Sequence, residues 1–394
     1  MKLVLFYVSC FLAFVAGHIV NYTSILYSLA YFDSSLLAGL AYGFCFGPPI
    51  FFGWVAGAYI DRYSAKKVLL IAQNFFVLGG IGMLVVMLAE PSYSVALLLA
   101  SCFCVGIGWA FVAPSRLAFL GQYVSNDKLA QASIIFNLLV MLGFGLAPIV
   151  ITQIQPYVEW KGVAILSITM FVVSSLLLLN APNVHKRLSH EHLLKEWQSC
   201  FKAMSRVPVI LQLLFAAIVV YLMMGPMQVI LPQIAEGQLG LSDQEKGHYL
   251  GLIAFSLIVG GVIAIKFKQS LPIGKSIVVM LMLCGIFMGL IGYIESVWLN
   301  CLVLIISTVL AGIVVSFIVA GLQNFTPLEI RGRVMSIYTI ISQVLAAMSG
   351  VLAGALAQGF SVSMSLYIIG GLFFLLAVLL AWKARHLLAF EKFS

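Results

Sequence analysis

Twelve apolar runs of about 20 residues each decide what this 394-residue chain can fold into. An α-helix rises 1.5 Å per residue, so each run can cross a hydrocarbon layer roughly 30 Å thick. Hydrophobic residues make up 63% of the chain and charged residues 9%, against roughly 45–50% and 25% in soluble domains. The sequence therefore predicts an all-α polytopic membrane protein. The predicted spans are residues 3–31, 37–60, 68–89, 94–115, 132–154, 161–182, 208–232, 247–267, 275–295, 297–323, 334–357 and 362–384.

The basic residues predict how these spans are oriented. With a cytoplasmic N-terminus, all of the 21 Lys and Arg residues except Lys161 and Lys246 fall in cytoplasmic segments. This distribution follows the positive-inside rule and predicts that both termini are cytoplasmic. The first run also has features of a secretory signal, with Lys2 before an apolar stretch and small residues before His18. Because the run continues to Tyr31, and cleavage would leave an odd number of spans, we interpret it as a transmembrane helix.

Composition and motifs argue against several functional classes. Basic residues beside anionic lipid headgroups account for the net charge of +8, and no clustered basic domain indicates a nucleic-acid partner. No Gly-x-x-x-x-Gly-Lys-Ser/Thr sequence or nucleophile constellation is present, so we expect neither an enzyme nor a bound cofactor. The seven cysteines lack metal-ligand spacing and fall mostly within spans, where small buried hydrophobes are the expected role.

A polar segment between spans six and seven divides the chain into two halves. The predicted organisation is an N-terminal bundle over 1–182, a cytoplasmic linker over 183–207 and a C-terminal bundle over 208–394. Apolar residues recur at helical spacing in the linker and predict an amphipathic helix on the membrane surface. These residues are Leu188, Leu193, Leu194, Trp197 and Phe201. The linker's His185, His190 and His192 would suit a metal or pH sensor, but a solvated loop is the simpler interpretation.

The segment GAYIDRYSAKK, residues 57–67, lies between spans two and three and concentrates charge in a charge-poor chain. It resembles the signature loop of the major facilitator superfamily, in which Gly, Asp, Arg and paired basic residues recur. It departs from that pattern at Ser64 and Ala65, and the middle of helix four lacks the usual arginine motif. The resemblance implies twelve helices arranged as two pseudo-symmetric six-helix bundles, and a transporter that works by alternating access.

A narrower likeness lies in three segments, Pro114–Arg116, Leu129–Ala132 and Thr326–Ser336. They are similar to a drug- and siderophore-exporting branch that includes the enterobactin exporter. The likeness implies a monomeric secondary transporter of the bacterial inner membrane that moves a siderophore or amphipathic drug-like compound, with export favoured and protons as possible antiported ions. The alternatives are an importer of the same fold, a lysophospholipid flippase, or a non-transporting membrane sensor.

The family likeness also implies a conformational latch on the cytoplasmic side. The carboxylate of Asp61 would meet the positive N-terminal end of helix eleven, expected near Val334, while the basic residues face acidic groups or lipid phosphate. Simple positive-inside anchoring is the alternative, although Asp61 contributes nothing to that rule. The predicted latch residues are Gly57, Asp61, Arg62, Lys66, Lys67, Arg331 and Arg333.

Helices one, four, seven and ten line the central cavity in this superfamily, which gives a set of candidate site residues. Helix one presents three polar residues on one face, and helix seven presents Tyr221, Met224, Gly225 and Gln228 at the same spacing beside Pro226, a residue that interrupts helices. The candidates are His18, Asn21, Tyr22, Trp109, Tyr221, Met224, Gln228 and Ser307.

Ionisable residues near the spans supply the remaining candidates. His18 is the one ionisable residue that lies well inside a predicted span, and such residues often have a function. Its alternative roles are substrate binding, proton coupling, or hydrogen bonding as a neutral side chain. Asp33, at the membrane interface, is a second candidate for coupling. Arg116 is expected to anchor at the opposite interface, with attraction of an anionic substrate as the alternative.

Overall fold

A computed structural model describes residues 3–88, 91–179, 193–267 and 272–390. Within these ranges the chain is helical and contains no β-strand. Eleven helices in the described part are long and apolar enough to cross a membrane. The all-α polytopic fold class expected from the sequence is therefore confirmed.

The first compact unit comprises Met1–Ser189 together with Leu241–Gly251. Within it, α1 packs along α6 and α4 packs along α5. Gly143 of α6 lies so close to α1 that a Cβ atom there would be 2.8 Å from the carbonyl carbon of Phe14. Close approach at small residues is typical of helix packing in membranes. Its helices are α1 (Leu3–Phe32), α2 (Ser35–Phe46), α3 (Pro49–Arg62), α4 (Ala65–Val86), α5 (Pro91–Tyr123) and α6 (Asn126–Leu179).

The length of α6 explains why twelve predicted spans become eleven spanning helices. This element has 54 residues, which at 1.5 Å per residue is about 80 Å, far more than a bilayer needs. Its backbone leaves the helical region at Glu159, where φ is 58° and ψ is −179°. The helical segments before and after Glu159 contain the fifth and sixth predicted spans, so both spans are present.

The segment predicted as a loop over residues 57–67 is mostly helical. α3 continues to Arg62, and α4 begins at Ala65. Ser64 makes the tight connection possible, because its side chain accepts a hydrogen bond from the backbone N–H of Lys67 at 3.2 Å and caps α4. The side chains of Asp61 and Arg62 lie outside the described residues, so the predicted latch contact of Asp61 stays a prediction.

The second compact unit comprises His190–Gly240 together with Leu252–Ser394. Two of its helices pack through small residues: a Cβ atom at Gly370 would lie 2.7 Å from the carbonyl oxygen of Gly285. α11 starts in the first unit's Leu241–Gly251 segment and continues into this one. The elements are α7 (Leu193–Ser205), α8 (Pro208–Tyr221), α9 (Met224–Val229), α10 (Leu231–Gln233), a π-helical turn (Ile234–Gln238), α11 (Asp243–Phe267), α12 (Ile273–Ile291), α13 (Val297–Phe325), α14 (Leu328–Gly359), α15 (Val362–Lys383) and α16 (Arg385–Leu388).

Part of the predicted amphipathic linker helix is present as α7, in which the side chains of Leu193, Leu194 and Trp197 lie outside the described residues. Cys200 and Met204, one turn apart, are buried, and the Cys200 thiol lies 3.8 Å from the Met204 sulfur. Phe201, expected on the apolar face, is 50% exposed. The earlier part of the linker, including Leu188 and the three histidines, lies outside the described residues.

Helix eleven begins earlier than predicted. α14 starts at Leu328, directly after Pro327, so Val334 is a buried residue inside the helix and not its first residue. Proline fixes its own φ and is well suited to the start of a helix, which explains the earlier boundary. Arg331 and Arg333 consequently lie in the first turns of α14, where Arg331 Nη2 donates to the Thr326 carbonyl at 3.3 Å.

Candidate functional site

The predicted face of α1 is buried among aromatic rings. His18, Asn21 and Tyr22 are 7%, 1% and 0% exposed. The His18 ring lies 5.0 Å from Trp109 of α5 and 5.3 Å from Phe144 of α6, measured between centroids. We call His18, Tyr22, Phe46, Trp109 and Phe144 the aromatic cluster. It brings together the three candidates His18, Tyr22 and Trp109 within the first unit.

The Trp109 ring is held firmly in place. It stacks on Phe14 at 6.1 Å and meets Phe76 edge-on at 5.1 Å. Gly17 of α1 makes room for it, because a Cβ atom at this position would lie 2.7 Å from the Trp109 Cζ2 atom. The Trp109 Nε1 atom is buried without a hydrogen-bond partner among the described residues. A buried indole normally has a partner, so this N–H is available to a ligand.

Asn21 offers a second set of unused hydrogen-bonding groups. It is 1% exposed, and neither its side-chain oxygen nor its side-chain nitrogen has a partner in the described part of the chain. Asn21 lies one helical turn, about 5.4 Å, beyond Gly17. Leaving a buried amide unsatisfied costs free energy, and functional sites are where such groups are retained.

Two members of the aromatic cluster were not predicted. Phe46 ends α2 just before the Gly47-Pro48-Pro49 break, and its centroid lies 5.8 Å from that of Trp109. Phe144 lies 6.0 Å from Tyr22. A single phenylalanine in an apolar span carries no signal of its own, so only the packing of α2 and α6 on α1 identifies these two.

The second unit brings two more candidates together around a small cavity. Tyr221 and Met224 line it with Met223, Met227 and Thr308, and its volume is about 20 Å³, enough for one water molecule. The Tyr221 hydroxyl forms a 2.6 Å hydrogen bond with the hydroxyl of Tyr338 in α14. Flexible methionine side chains allow such a wall to change shape.

The seventh predicted span is interrupted just before Pro226, where a proline disrupts the helical hydrogen bonds. α8 ends at Tyr221, and α9 starts at Met224. Pro226 has no N–H to give to the carbonyl of Leu222, four residues earlier, and its ring clashes with that carbonyl. The interruption expected at Pro226 is confirmed, and it lies one turn before the proline itself. The break places the Tyr221 side chain at the end of one helix and the methionines at the start of the next.

Two further candidates have different surroundings. Gln228 is buried in α9, at 2% exposed. Ser307 of α13 is buried beside α12, where its carbonyl accepts a hydrogen bond from the Cys284 thiol at 3.3 Å. Its neighbour Thr308, and not Ser307, lines the small cavity.

Arg116 does not extend outward as the expected interface anchor, because its side chain is 0% exposed within the first unit. Its Nη1 donates to Cys10 Sγ at 3.1 Å and its Nη2 to Ser174 Oγ at 3.1 Å, while both nitrogens lie 3.3 Å from Ser9 Oγ. Gln73 completes this polar cluster by donating to Ser174 Oγ at 2.8 Å. Hydropathy placed the end of the fourth span one residue too early to include Arg116. His18 is therefore not alone as an ionisable residue within a span.

The two lysines of the 57–67 segment behave differently. Lys66 donates its ammonium group to the carbonyl of Leu179, the last residue of α6, where a positive charge complements the helix C-terminus. Lys67 is exposed and lines a surface groove. Asp33, the interface candidate, is exposed between α1 and α2 with φ of 46°, a conformation that aspartate tolerates better than most residues.

Residues 6–350 match the Major Facilitator Superfamily. The chain belongs to this superfamily. Among solved structures, a POT family transporter in complex with a thioalcohol-conjugated peptide is similar, with a TM-score of 0.78, 14% identity, and coverage of 98% of this chain and 96% of that chain. A bacterial homologue of the human lysosomal transporter Spinster, inward-facing and unoccupied, has a TM-score of 0.75 at 14% identity and covers 100% of this chain and 98% of its own.

At these identities the similarity establishes the fold. No curated protein matches the sequence significantly. The membership expected from residues 57–67 is confirmed, and this major facilitator protein is a multi-pass membrane transporter.

Proposed function

We propose that this major facilitator protein is a secondary transporter of a small amphipathic organic molecule, in the bacterial inner membrane with both termini cytoplasmic. One observation supports the substrate class: the aromatic cluster adjoins two buried hydrogen-bonding groups without partners, the Asn21 amide and the Trp109 indole N–H. Flat apolar rings suit an aromatic or lipid-like body, and the amide and indole suit one polar group on it. This combination favours a siderophore or drug-like compound over a sugar or a small ion.

The mechanism that we propose is the alternating access implied by the family resemblance, with two six-helix halves that rock around the substrate. The broken α8–α9 segment supplies a shape-changing wall for such a cycle, because its methionines can repack. Asp61 and the basic residues near it would hold the closed state, as their sequence motif implies.

The first experiment compares metabolites in cells and medium of a deletion strain and its parent, in iron-poor and iron-rich media, by mass spectrometry. We propose export, so a chelating or amphipathic compound should accumulate in mutant cells and be depleted from the medium. The same compound left in the medium would indicate import. An altered lysophospholipid pool with no such compound would indicate a flippase, and no difference at all would contradict transport of any metabolite made in these media.

The site itself is tested by complementing the deletion with Asn21→Leu, which keeps the branched shape of the side chain and removes both hydrogen-bonding groups. We expect transport to fall at least tenfold while the amount of folded protein is unchanged. Thr23→Val is the matched control, because Thr23 is also buried in α1 with an unpartnered hydroxyl but lies on a different helical face. Equal loss in the two variants would mean that Asn21 has no special role in binding.

A further inference from the structure

A groove outside the aromatic cluster runs over the first unit between α3, α4 and α5. It encloses about 590 Å³, a volume typical of sites that hold small organic molecules. Its walls are mainly aromatic and aliphatic, and Tyr59 packs at 6.4 Å from Phe111, which lies 6.4 Å from Phe52. Ile71 and Phe75 of α4 form the facing wall.

The groove is polar only at one end. Tyr63 and Lys67, beside the α3–α4 connection, are the lining residues there, and Lys67 is its one charged residue. The Lys67 side chain is exposed and can bind a ligand at this end of the groove. The neighbouring Lys66 instead donates its ammonium group to the last residue of α6. Any occupant must therefore be apolar along most of its length and carry negative charge at one end.

The length of the groove matches one leaflet. From Lys67 to Phe75, α4 rises about 12 Å, and from Tyr63 back to Phe52, α3 spans about 16 Å. Half of a hydrocarbon core is about 15 Å. The groove also opens sideways, because Tyr59 is 52% and Ile71 59% exposed. An acyl chain can enter such a groove from the side.

We propose that the groove binds one acyl chain of an acidic phospholipid whose phosphate pairs with Lys67. Tyr59 and Tyr63 lie between the spanning stretches Ser35–Ala56 and Ala65–Val86, where interfacial aromatic residues are expected, and a lysine near an anionic headgroup adds affinity. The lipid is an accessory ligand that stays bound while substrate moves elsewhere. It would hold α3 and α4 together beside the sequence motif through which the superfamily is recognised.

Native mass spectrometry of the purified full-length protein tests this site, with dioleoylphosphatidylglycerol and dioleoylphosphatidylethanolamine as the probes. The two lipids share acyl chains and differ in net charge. Lys67→Gln should weaken phosphatidylglycerol binding about fivefold and leave phosphatidylethanolamine binding unchanged. Lys275→Gln is the control, since Lys275 is also exposed and is also the third residue of its helix, α12. Equal phosphatidylglycerol binding by Lys67→Gln and Lys275→Gln would overturn the pairing.

A second variant tests the acyl chain independently of the charge. Ile71→Trp fills the groove from an exposed position and should reduce retention of both lipids. Unchanged retention would place the lipid elsewhere. Vesicles that contain fluorescent phosphatidylglycerol separate an accessory lipid from a transported one: no translocation is expected, and translocation that depends on the protein would overturn the accessory role.

Discussion

Replacing Arg116 with methionine tests how a fully buried charge affects the stability and the transport activity of this protein. The guanidinium group is 0% exposed, and the partners that the described chain gives it are Ser9, Cys10 and Ser174, none of which is a carboxylate. Its Nε atom has no partner among the described residues. Among the described residues, Arg116 is thus a buried cation stabilised by neutral acceptors and by the Phe14 ring, whose centroid lies 5.7 Å from the guanidinium carbon.

The expected change in stability is small because two effects of similar size oppose each other. An arginine at the centre of a membrane span costs about 2.5–3.5 kcal/mol, which is an upper value for Arg116 because its span ends at Gly121. The three partners, at 3.1–3.3 Å, return about 1 kcal/mol each. Methionine leaves no orphaned hydroxyl, since Ser174 Oγ still donates to the Ser9 carbonyl at 2.7 Å and still accepts from Gln73. We therefore expect Arg116→Met to stay within about 1 kcal/mol of the original protein.

Arg116→Ala should behave differently, because it removes the volume as well as the charge. The cavity adds a cost of about 2–5 kcal/mol relative to methionine. Both variants are measured by unfolding in mixed detergent micelles, with Arg385→Met as the control, since Arg385 of α16 is exposed. A loss of more than 3 kcal/mol in Arg116→Met would refute the reasoning, because it would mean that the charge is strongly stabilising. A stable Arg116→Met protein that fails to transport would show that the charge is kept for function.

Three other outcomes follow from local packing. Gly225→Ala places a methyl group against the backbone of Gly350 and should reduce the free energy of unfolding by about 1–3 kcal/mol in thermal unfolding. Gly371→Ala is the control, because an added Cβ there meets no neighbouring atom within 4 Å and should not destabilise the protein. Equal effects of the two variants would contradict the close packing at Gly225. His18→Phe should retain transport with an unchanged pH profile, because the His18 ring contacts aromatic rings. A flattened pH profile of transport would instead support a role of His18 in proton coupling. Burial raises the pKa of the Cys200 thiol, although the charge of Arg333 opposes this shift. Maleimide should therefore label Cys200 more slowly than a free thiol at pH 7, and the labelling should accelerate as the pH rises. Fast labelling at pH 7 would mean that Cys200 is not buried as described.

The spans were predictable because hydropathy reports a property of every residue in them. Helical periodicity places His18, Asn21 and Tyr22 on one side of α1, and all three are buried, as is every residue from Ala13 to Ser28. The break before Pro226 followed from proline chemistry alone. Each of these features depends on residues close together in the sequence.

The features that the sequence did not reveal depend on contacts between distant segments. Hydropathy cannot distinguish a helix end that meets lipid from one that meets protein, which is why Arg116 was expected at the interface. Phe46 and Phe144 join the aromatic cluster through packing of separate helices. The start of α14 was misplaced because its first turns carry Arg331 and Arg333, and these charges made the predicted span begin too late.

The fragmentation of the seventh span transfers control of its local shape to a neighbouring helix. α9 has six residues and α10 three, far below the roughly 12–15 residues that a helix needs to persist alone. Their shape must therefore be imposed from outside, and α14 is the helix against which α9 packs at Gly225. Substitutions at Ala346, Ser349 or Gly350 would reshape the small cavity without lining it, so residues of α14 control the shape of its methionine wall.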